Sequence, residues 1–428
     1  MDYQPIDDVI EIIIDRRGIT ATKLGGKWRD KGIPVISANN IRNGQFIEMD
    51  SLKYVEKELY HKWMPLKLRK GDVLLVSEGA TFGELLYLQN DLDAALGQRL
   101  FALRCTDIYN KRFLYYYLKS KVGQHELYSR TTGTSVPGIR QSELRKIRVP
   151  KVDIREQDRV AETLGAIDDK ILLNKEINDI FVEISQTIFK HWFVDFEFPD
   201  EEGKPYKSSG GEMIESELGK IPKGWVTISN ISELCEKINY GYTKSASTEK
   251  VGLKFLRVTD INKGDWINWN DVPYCEIEDD DKRKYILEKG DIIVARMADP
   301  GKVAIFESEI PAVFASYLIR IRLRNPKFAY YLYYLMKSAY YQDFILGAAS
   351  GSVQKNLNAK GLTSGLPIAL PNEELADKFN AVIGNLRSKI DCNVSESEIL
   401  ARICDSLLPR LMSGKITVSV PKEMVKTR

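Results

Sequence analysis

Residues Gly32–Gly44 read GIPVISANNIRNG, and residues Gly252–Gly264 read GLKFLRVTDINKG. The two stretches begin and end on glycine and carry an isoleucine, Ile41 or Ile261, close to the same position, at an offset of 252 − 32 = 220. A short apolar run followed by polar residues and glycine is typical of a strand that ends in a turn. The chain therefore contains the same strand-and-turn segment twice.

The repeat extends over the whole chain at a nearly constant offset. The run KGDVL at Lys70–Leu74 returns as KGDII at Lys289–Ile293, where the offset is 289 − 70 = 219. Further pairs at offsets of 218 or 219 are Gly83 with Gly301, Lys119 with Lys337, Ile171 with Ile390, and Asn174 with Asn393. A repeat with this long period indicates two whole domains rather than a solenoid. Two similar domains on one chain suit a target with two similar halves.

Composition places the chain among globular proteins with more than one hydrophobic core. The chain has 428 residues, of which 43% are hydrophobic, and its net charge of +2 permits local basic surfaces that acidic ones offset. Its five cysteines are scattered without a C-x-x-C pair, which argues against a disulfide framework and a cysteine zinc site. Without a leader or an apolar run of about 18 residues, the sequence predicts a cytoplasmic protein.

The fold class predicted from these patterns is α+β. Each copy of the repeat opens with strand-like runs, continues with a helical segment and closes with a Gly/Ser-rich loop, so each is a mixed, strand-rich α/β domain. We expect two such domains, separated by two long antiparallel coiled-coil helices in a dumbbell with pseudo-two-fold symmetry. The predicted boundaries are 1–150 for domain 1, 151–193 for spacer helix 1, 194–225 for a linker, 226–371 for domain 2, and 372–428 for spacer helix 2 with a C-terminal tail.

The two spacer helices are predicted from heptad spacing. Apolar residues recur in steps of three and four after Pro150 and again after Pro371. Each run covers about 35 residues, so each helix spans about 50 Å, and neither can bury its apolar stripe alone. Asn174 and Asn393 occupy matching seam positions; either they fix the register of the pair, or they face solvent at the seam edge.

No motif for catalysis is evident in the sequence. The three histidines, His61, His125 and His191, are dispersed, and neither a phosphate-binding loop nor a nucleophile elbow is present. The segment PDEEGK at Pro199–Lys204 is similar to a metal-nuclease carboxylate cluster, but it lies in a Gly/Pro linker, so a solvated acidic loop is favoured. The sequence therefore predicts a non-catalytic chain that needs no cofactor.

Binding residues are predicted at the turns of both repeats. Asn, Arg, Ser/Thr and Asp can read base edges, while Lys and Arg neutralise phosphates; ordinary polar strand ends are the alternative for any single residue. Because SANN in one copy becomes RVTD in the other, the two copies are suited to different half-sites. The predicted DNA-binding residues are Lys23, Lys27, Arg29, Ser37, Asn39, Asn40, Tyr242, Thr243, Lys244, Arg257, Thr259 and Asp260, with Arg42 and Lys263 beside them. The tyrosine-rich segments LYYYL (Leu114–Leu118) and YYLYYL (Tyr330–Leu335) could stack on bases, although core packing is favoured.

The chain resembles the specificity subunits of Type I restriction-modification systems. The stretch Ile188–Trp225, IFKHWFVDFEFPDEEGKPYKSSGGEMIESELGKIPKGW, is similar to the family's central conserved region. LRVTDI at Leu256–Ile261 and KGDIIVAR at Lys289–Arg296 also resemble its second domain. Domain 1 lacks a counterpart of IPKGW before its first strand, so its N-terminal edge is the part where the resemblance is weakest.

The resemblance implies a subunit that binds double-stranded DNA at a bipartite, asymmetric site and leaves catalysis to partners. Two methylation subunits, which bind S-adenosylmethionine, would modify adenine, and motor-nuclease subunits would use ATP. Spacer helices would act as a ruler, and Phe189, Trp192 and Phe193 would form the docking surface for the methylation subunits, because an apolar cluster is otherwise unexplained in a two-helix rod. The alternatives are a structural adaptor for protein partners or a stand-alone DNA-modifying enzyme.

Overall fold

In the computed structural model, residues 2–132, 136–262, 264–349, 357–363 and 365–418 are described. The chain forms two compact units: unit 1 comprises Met1–Leu172 with Ser397–Arg428, and unit 2 comprises Leu173–Glu396. Because both chain crossings between the units lie inside long helices, each unit contains part of each helix.

Unit 1 is built from short strands and four short helices, and it ends in the first long helix. In chain order its elements are β1 (Tyr3–Pro5), β2 (Ile10–Asp15), β3 (Ile33–Ile36), β4 (Ile41–Arg42), β5 (Gln45–Phe46), β6 (Lys53–Val55), α1 (Lys57–Trp63), β7 (Val73–Val76), β8 (Leu85–Tyr87), β9 (Ala95–Leu96), β10 (Leu100–Cys105), α2 (Lys111–Lys119), α3 (Lys121–Tyr128), α4 (Gln141–Leu144), β11 (Arg148–Pro150) and α5 (Ile154–Phe189).

After α5, unit 2 begins with a hairpin in the linker, β12 and β13, and from β14 onwards largely repeats this order. Its elements are β12 (Met213–Ser216), β13 (Gly219–Pro222), β14 (Val226–Ile228), β15 (Cys235–Tyr240), β16 (Leu253–Leu256), α6 (Val258–Ile261), β17 (Tyr274–Cys275), α7 (Asp279–Tyr285), β18 (Ile292–Ala295), β19 (Val303–Ile305), β20 (Ala312–Phe314), β21 (Leu318–Leu323), α8 (Ala329–Lys337), α9 (Ala339–Ala349), α10 (Ala359–Thr363), β22 (Ile368–Leu370) and α11 (Glu373–Met412).

The sheets of the two units have the same topology. The order β2-β10-β7-β8 in unit 1 matches β15-β21-β18-β19 in unit 2, and β6-β3-β9 matches β17-β16-β20. The small sheet β1-β11 matches β14-β22. In both three-stranded sheets one pair is parallel and the other antiparallel. The prediction of two similar mixed α/β domains from the repeat is confirmed.

The central strands are apolar on both faces because each face is covered. Val73 and Leu75 of β7 point into one core of unit 1, and Leu74 and Val76 point into another. The equivalent strand β18 of unit 2 alternates in the same way between two cores. Such continuous apolar runs are therefore the local signal of a strand buried between two layers.

The repeated Lys-Gly-Asp motif forms a turn and a buried ion pair. Gly71 and Gly290 adopt φ values of +90° and +91°, a left-handed conformation that favours glycine. The aspartate that follows in unit 1, Asp72, accepts hydrogen bonds from Nε and Nη2 of Arg104 over 2.8 and 2.7 Å. In unit 2, Asp291 accepts the same two bonds, over 2.8 and 2.7 Å, from Arg322. The motif thus joins the start of one central strand to its neighbour.

The two long helices pack as an antiparallel pair, as predicted. Within unit 2, Asn174 of α5 contacts Asn393 of α11, whereas Phe189, further along α5, contacts Phe379, further back along α11. Residues that advance along one helix therefore meet residues that recede along the other. Within unit 1, the beginning of α5 shares a core with the end of α11 through Val160, Leu164, Cys404, Leu408 and Leu411.

The seam asparagines are buried and hydrogen-bonded across the pair. The side chain of Asn174 has no exposed surface, and its Nδ2 donates to the Asn393 carbonyl over 3.3 Å and to the Glu396 carboxylate over 2.8 Å. Nδ2 of Asn393 donates to Oδ1 of Asn178 over 2.8 Å. Of the two alternatives that the heptads left open, the structure shows the one in which these residues fix the register.

The linker predicted for 194–225 is ordered. It contains the hairpin of β12 and β13, and Phe198 stacks between Tyr206 and Trp225, with ring centroids 4.5 and 5.8 Å away. Ile221 and Trp225 are buried in the core of unit 2. Along the described ranges, none of the helices combines the length and the hydropathy that crossing a lipid bilayer would require.

Candidate nucleic-acid interface

Several chain segments meet at one end of the sheets in unit 1, and we call this region the first loop edge. It comprises residues 15–18, 37–39, 77–80, 97–99 and 136–140. The segments meet because β2 and β7 both end where β10 begins: Asp15 pairs with Phe101, and Val76 pairs with Leu100. Strand ends therefore present several loops on one side of unit 1.

Backbone hydrogen bonds fix the position of these loops. The amide of Ser77 donates to the Arg99 carbonyl over 2.9 Å, and the amide of Ile139 donates to the Ser77 carbonyl over 2.9 Å. The amide of Gly97 donates to the Ile36 carbonyl over 2.6 Å. Rigid loops of this kind present side chains in a defined geometry, which base-edge recognition requires.

The corresponding second loop edge, in unit 2, comprises residues 240–244, 257–262, 296–299, 315–317 and 357–359. The amide of Arg296 donates to the Tyr317 carbonyl over 3.0 Å, and the amide of Leu357 donates to the Arg296 carbonyl over 3.0 Å. These two bonds are equivalent to those of the first loop edge, because Arg296, Tyr317 and Leu357 correspond to Ser77, Arg99 and Ile139. The offsets are 296 − 77 = 219, 317 − 99 = 218 and 357 − 139 = 218. The same backbone frame thus presents Ser77 and Arg99 in one unit and Arg296 and Tyr317 in the other.

Asn40 and Asp260, both predicted to bind DNA, instead hold a turn after β3 or β16. Asn40 is 3% exposed; its Oδ1 accepts from the amide and the hydroxyl of Ser37 over 3.0 and 2.8 Å. Asp260 is also 3% exposed, and its carboxylate accepts from the amide and the guanidinium of Arg257 over 2.9 to 3.0 Å. Both side chains are buried with partners in the chain, so they position the turn and do not face a ligand. The prediction that they read bases is corrected accordingly.

The exposed members of these turns lie on the loop edges. Asn39 and Thr259, one position before the buried residues, are exposed. Ser37 is half-buried and bonded to Asn40, and Arg257 is half-buried and paired with Asp260; these bonds raise the pKa of Arg257. The sequence located the turn, but it could not tell which of its polar side chains faces inward.

The three basic residues predicted in the loop after β2 are exposed but do not form one cluster. Nζ of Lys23 donates to the Gly18 carbonyl over 2.7 Å, beside the first loop edge. Arg29 pairs with Glu56 and forms a backbone bridge with Tyr54 on the outer side of β6. Lys27 is exposed in the same segment as Arg29. Of the three, Lys23 lies nearest to the first loop edge.

The remaining predicted residues of unit 2 lie at the second loop edge or lead away from it. The amide of Tyr242 donates to the Phe314 carbonyl over 2.7 Å, and its ring lies 5.2 Å from that of Tyr285. Thr243 and Lys244 follow it and are exposed. Lys263, considered with this group, lies outside the described residues, and Arg42 is exposed in β4.

Four residues of the loop edges were missed by the sequence reasoning. Arg99 is exposed, and its backbone adopts a left-handed conformation with φ 67°, so the chain is not extended at this residue. Arg140 and Tyr317 are exposed, and the guanidinium of Arg296 lies 4.6 Å from the ring centroid of Tyr240. Arg99, Arg296 and Tyr317 have one sequence signal, their position directly before or after a buried strand, whereas Arg140 precedes the short helix α4.

The tyrosine-rich segments belong to the cores. Tyr115, Tyr116 and Tyr117 of α2 are at most 4% exposed, as are Tyr331, Tyr333 and Tyr334 of α8. The hydroxyl of Tyr116 donates to Asp168 over 2.8 Å, and that of Tyr331 to the Ala369 carbonyl over 2.6 Å. Base stacking by these rings is therefore excluded in this conformation, and core packing explains them.

Phe189 and Phe193, predicted to dock a partner, are buried within unit 2. They are 4% and 7% exposed, and both contact Tyr331 and Phe379. The premise that the cluster has no partner in the chain was wrong, because α8 and α11 cover it. Trp192 is only partly buried against the same core.

A groove of about 650 Å³ nevertheless opens beside this cluster, within unit 2. Phe196, in its wall, adopts φ 62°, a left-handed conformation that is strained for a bulky residue. Its other walls are formed by Phe189, Lys190, Phe193, Tyr334, Tyr340 and Ile368. The docking assignment stays a prediction, and it now concerns this groove.

The described residues include no metal-binding cluster, and four of the five cysteines are buried. No group of three or more His, Cys, Asp or Glu side chains is arranged to hold a metal ion in the described ranges. Burial raises the pKa of Cys105 and Cys235 to about 12 and that of Cys275 and Cys404 to about 11, so these thiols are protonated near neutrality.

Both copies of the repeat match one protein family. The family model described as the Type I restriction modification DNA specificity domain matches residues 1–180 and 222–387. The chain belongs to this family. One of the two matched ranges falls on each copy of the repeat. The chain is a Type I restriction-modification specificity subunit, and its role is recognition of DNA sequence.

Related specificity subunits match nearly the whole chain. The specificity subunit of the Type I restriction enzyme MjaIX from Methanocaldococcus jannaschii is 27% identical over 97% of this chain and 94% of its own. The specificity subunit of EcoKI from Escherichia coli is 21% identical over 96% of this chain and 88% of its own. The crystal structure of the S subunit from M. genitalium aligns with a TM-score of 0.54 at 17% identity, over 98% of this chain and 96% of that chain, which shows the shared fold.

Proposed function

We propose that this specificity subunit recognises a bipartite, asymmetric DNA site, with each loop edge reading one half. The observation that carries the proposal is one backbone frame that occurs twice with different side chains. Ser77, Arg99 and Asn39 in unit 1 correspond to Arg296, Tyr317 and Thr259 in unit 2. Different donors and acceptors in the same geometry would select different base pairs in the major groove.

The residues assigned to DNA fall into two roles under this proposal. Exposed side chains at the loop edges would contact bases, and lysines along the flanking loops would contact phosphates. Asn40 and Asp260 would act by holding the turns that carry Asn39 and Thr259. The proposed recognition domains keep the boundaries 1–150 and 226–371.

Catalysis is proposed to lie in partner subunits. The relatives are named as specificity subunits of restriction enzymes, which supports a non-catalytic role for this chain. Methylation subunits, two by the pseudo-symmetry of the repeat, would methylate adenine, and motor-nuclease subunits would cut DNA. The proposed docking surface for a methylation subunit is the groove lined by Phe189, Phe193 and Phe196, together with the partly buried Trp192. The complex would act on cytoplasmic DNA.

Methylome sequencing tests the proposal directly. Cells that co-express this chain with its methylation subunit should carry methylated adenine in a motif of two different short halves with a fixed gap. The same cells without this chain provide the control. Soluble, associated subunits that leave no new methylation would contradict the proposed function.

Single substitutions should separate the two half-sites. We expect Arg99→Ala to weaken recognition of one half, and Arg296→Ala that of the other, by about 10- to 100-fold, because a good base contact contributes about 1–3 kcal/mol. Binding to duplexes with one randomised half would measure each effect. Arg155→Ala removes an exposed arginine from the beginning of α5 and serves as the control. Equal losses at both halves in either variant would argue against independent recognition domains.

A further inference from the structure

In unit 1, the recognition domain contacts α5 through an arginine on the domain and a carboxylate on the helix. Nη1 and Nη2 of Arg112 donate to the two oxygens of Asp169 over 2.8 and 2.6 Å. Nη2 also donates to the Gly165 carbonyl over 3.1 Å, and Nε2 of Gln89 donates to Asp169 over 2.9 Å. The adjacent Asp168 accepts from the Tyr116 hydroxyl over 2.8 Å. The helix side of this contact is negative.

In unit 2, the equivalent contact has the opposite polarity. Arg387 of α11 donates from Nε to both oxygens of Glu307 over 2.7 and 2.6 Å. Glu307 follows β19 in the recognition domain and also accepts from the Tyr330 hydroxyl over 2.7 Å. Nη2 of Arg387 donates to the Asp265 carbonyl over 3.3 Å. The helix side of this contact is positive.

The two contacts occupy the same place in the repeat. GAIDDK at Gly165–Lys170 aligns with GNLRSK at Gly384–Lys389, so Asp168 corresponds to Arg387 at 387 − 168 = 219. On the domain side, Gln89 corresponds to Glu307 and Arg112 to Tyr330, both at an offset of 218. The helix residue at the aligned position is therefore acidic in α5 and basic in α11, and the domain side carries the opposite sign in each unit. The ion pairs themselves, Arg112 with Asp169 and Glu307 with Arg387, use neighbouring rather than identical positions of the repeat.

We propose that these contacts are charge keys that assign each recognition domain to its own long helix. The first key consists of Arg112 and Gln89 on the domain with Asp168 and Asp169 on α5. The second consists of Glu307 and Tyr330 on the domain with Arg387 on α11. A domain 1 placed before α11 would set Arg112 against Arg387, and a domain 2 placed before α5 would set Glu307 against two aspartates. The inference goes beyond the proposed DNA recognition, because it concerns which domain each helix accepts.

Burial makes a mismatch costly. The side chains of Arg112 and Arg387 are 18% and 7% exposed, so neither can turn fully into solvent to escape a like charge. Space is also restricted on the helix side in unit 1, where a Cβ at Gly165 would lie 2.6 Å from Nη1 of Arg112. Glycine at this position lets the guanidinium approach the helix backbone. If the charges of a key were mismatched, the domain would therefore move away from the helix, because the charged side chains have no room to rearrange.

Exchanging the helix side of the first key tests the proposal in the full chain. Asp168→Arg with Asp169→Ser gives α5 the residues of α11, and we expect the Tm of unit 1 to fall by about 5 °C. Adding Gln89→Glu with Arg112→Tyr gives domain 1 the key of domain 2, and should recover at least half of this loss. Hydrogen exchange should show the loosening at α2 and at the beginning of α5, with α8 unchanged.

The matched control is Glu162→Arg with Glu176→Ser. This variant makes the same change in net charge at two exposed positions of α5, and we expect the Tm to stay within about 1 °C of the parent value. The proposal would be overturned if Asp168→Arg with Asp169→Ser lowered the Tm no more than this control does. It would also be overturned if adding Gln89→Glu with Arg112→Tyr recovered none of the lost Tm.

Neutral variants keep the test decisive if the exchanged chain fails to fold. We expect the Tm shifts of Arg112→Gln and Asp169→Asn to be non-additive in a double-mutant cycle. The same is expected of the Tm shifts of Arg387→Gln and Glu307→Gln. Additive Tm shifts in both cycles would show that the pairs do not couple the domains to the helices.

Discussion

We expect Asp291→Ala to lower the free energy of unfolding of unit 2 by about 3–5 kcal/mol. Asp291 is 1% exposed, accepts two hydrogen bonds from Arg322 and lies 3.9 Å from the guanidinium of Arg320. Burial lowers the pKa of Arg320, whereas the bonds to Asp291 raise the pKa of Arg322. Removing the carboxylate leaves the buried Arg320 without the ion pair described for it, and leaves Arg322 with the exposed Glu288 as its remaining carboxylate partner.

Urea unfolding of the full chain, followed by tryptophan fluorescence, would measure this loss. Asp280→Ala replaces an exposed aspartate of α7 and should change the unfolding free energy by less than about 0.5 kcal/mol. Asp72→Ala should cost less than Asp291→Ala, because Asp72 forms its ion pair with Arg104 alone among the described pairs. Equal stability of Asp291→Ala and Asp280→Ala would mean that the network does not support the sheet.

The second large effect is expected from lengthening both long helices by one heptad. Duplicating Asn174–Ile180 in α5 and Ser388–Val394 in α11 keeps the seam in register, because it adds a further set of the Asn174, Asn178 and Asn393 contacts. Seven residues add about 10 Å of helix, which corresponds to about three base pairs of DNA. Under the proposed function, the original site should lose about 10²- to 10⁴-fold in affinity, since both halves can no longer be engaged at once.

Methylome sequencing of the lengthened variant would read the outcome. The expected motif keeps both half-sites and either has a longer gap or is no longer methylated. Duplicating the α5 heptad alone is the control, and it should destabilise the chain because Phe189 would no longer meet Phe379. A lengthened variant that read different bases within a half-site would contradict the assignment of recognition to the loop edges.

Local sequence patterns were sufficient for the elements and their repetition. The Lys-Gly-Asp turns, the alternating strands β7 and β18, and the heptads of α5 and α11 are each recorded in a few neighbouring residues. Even the buried Asn174 was identified as a seam residue, although its burial was left open. Asn178, one turn later, was missed because the heptad pattern does not show which polar residue the partner helix covers.

The surface chemistry was predicted less well, because exposure depends on three-dimensional contacts that a short motif does not specify. Asn40 is turned inward by contacts with Ser37 and with the carbonyls of Ile47 and Glu48, whereas Arg99 is held at the first loop edge by Ser77. Ser37 belongs to the turn motif, but its bond to Asn40 is not evident from the motif, and the other partners lie outside it. The same limit explains why Phe189 was taken for an unpartnered residue.

The sequence by itself determined that this protein has two copies of one strand-rich domain, two long heptad helices and the features of a DNA specificity subunit. Those properties follow from periodicity and motifs, which can be recognised from residues that are close together in the sequence. Only the tertiary structure decided which polar side chains face outward at the loop edges, and that Arg112 and Arg387 form contacts of opposite polarity. The second depends on pairings between residues more than 50 positions apart, Arg112 with Asp169 and Arg387 with Glu307, which folding brings together and spacing does not reveal. The first depends on contacts over shorter separations, such as Asn40 with Ser37 and Arg99 with Ser77, which a turn motif does not specify.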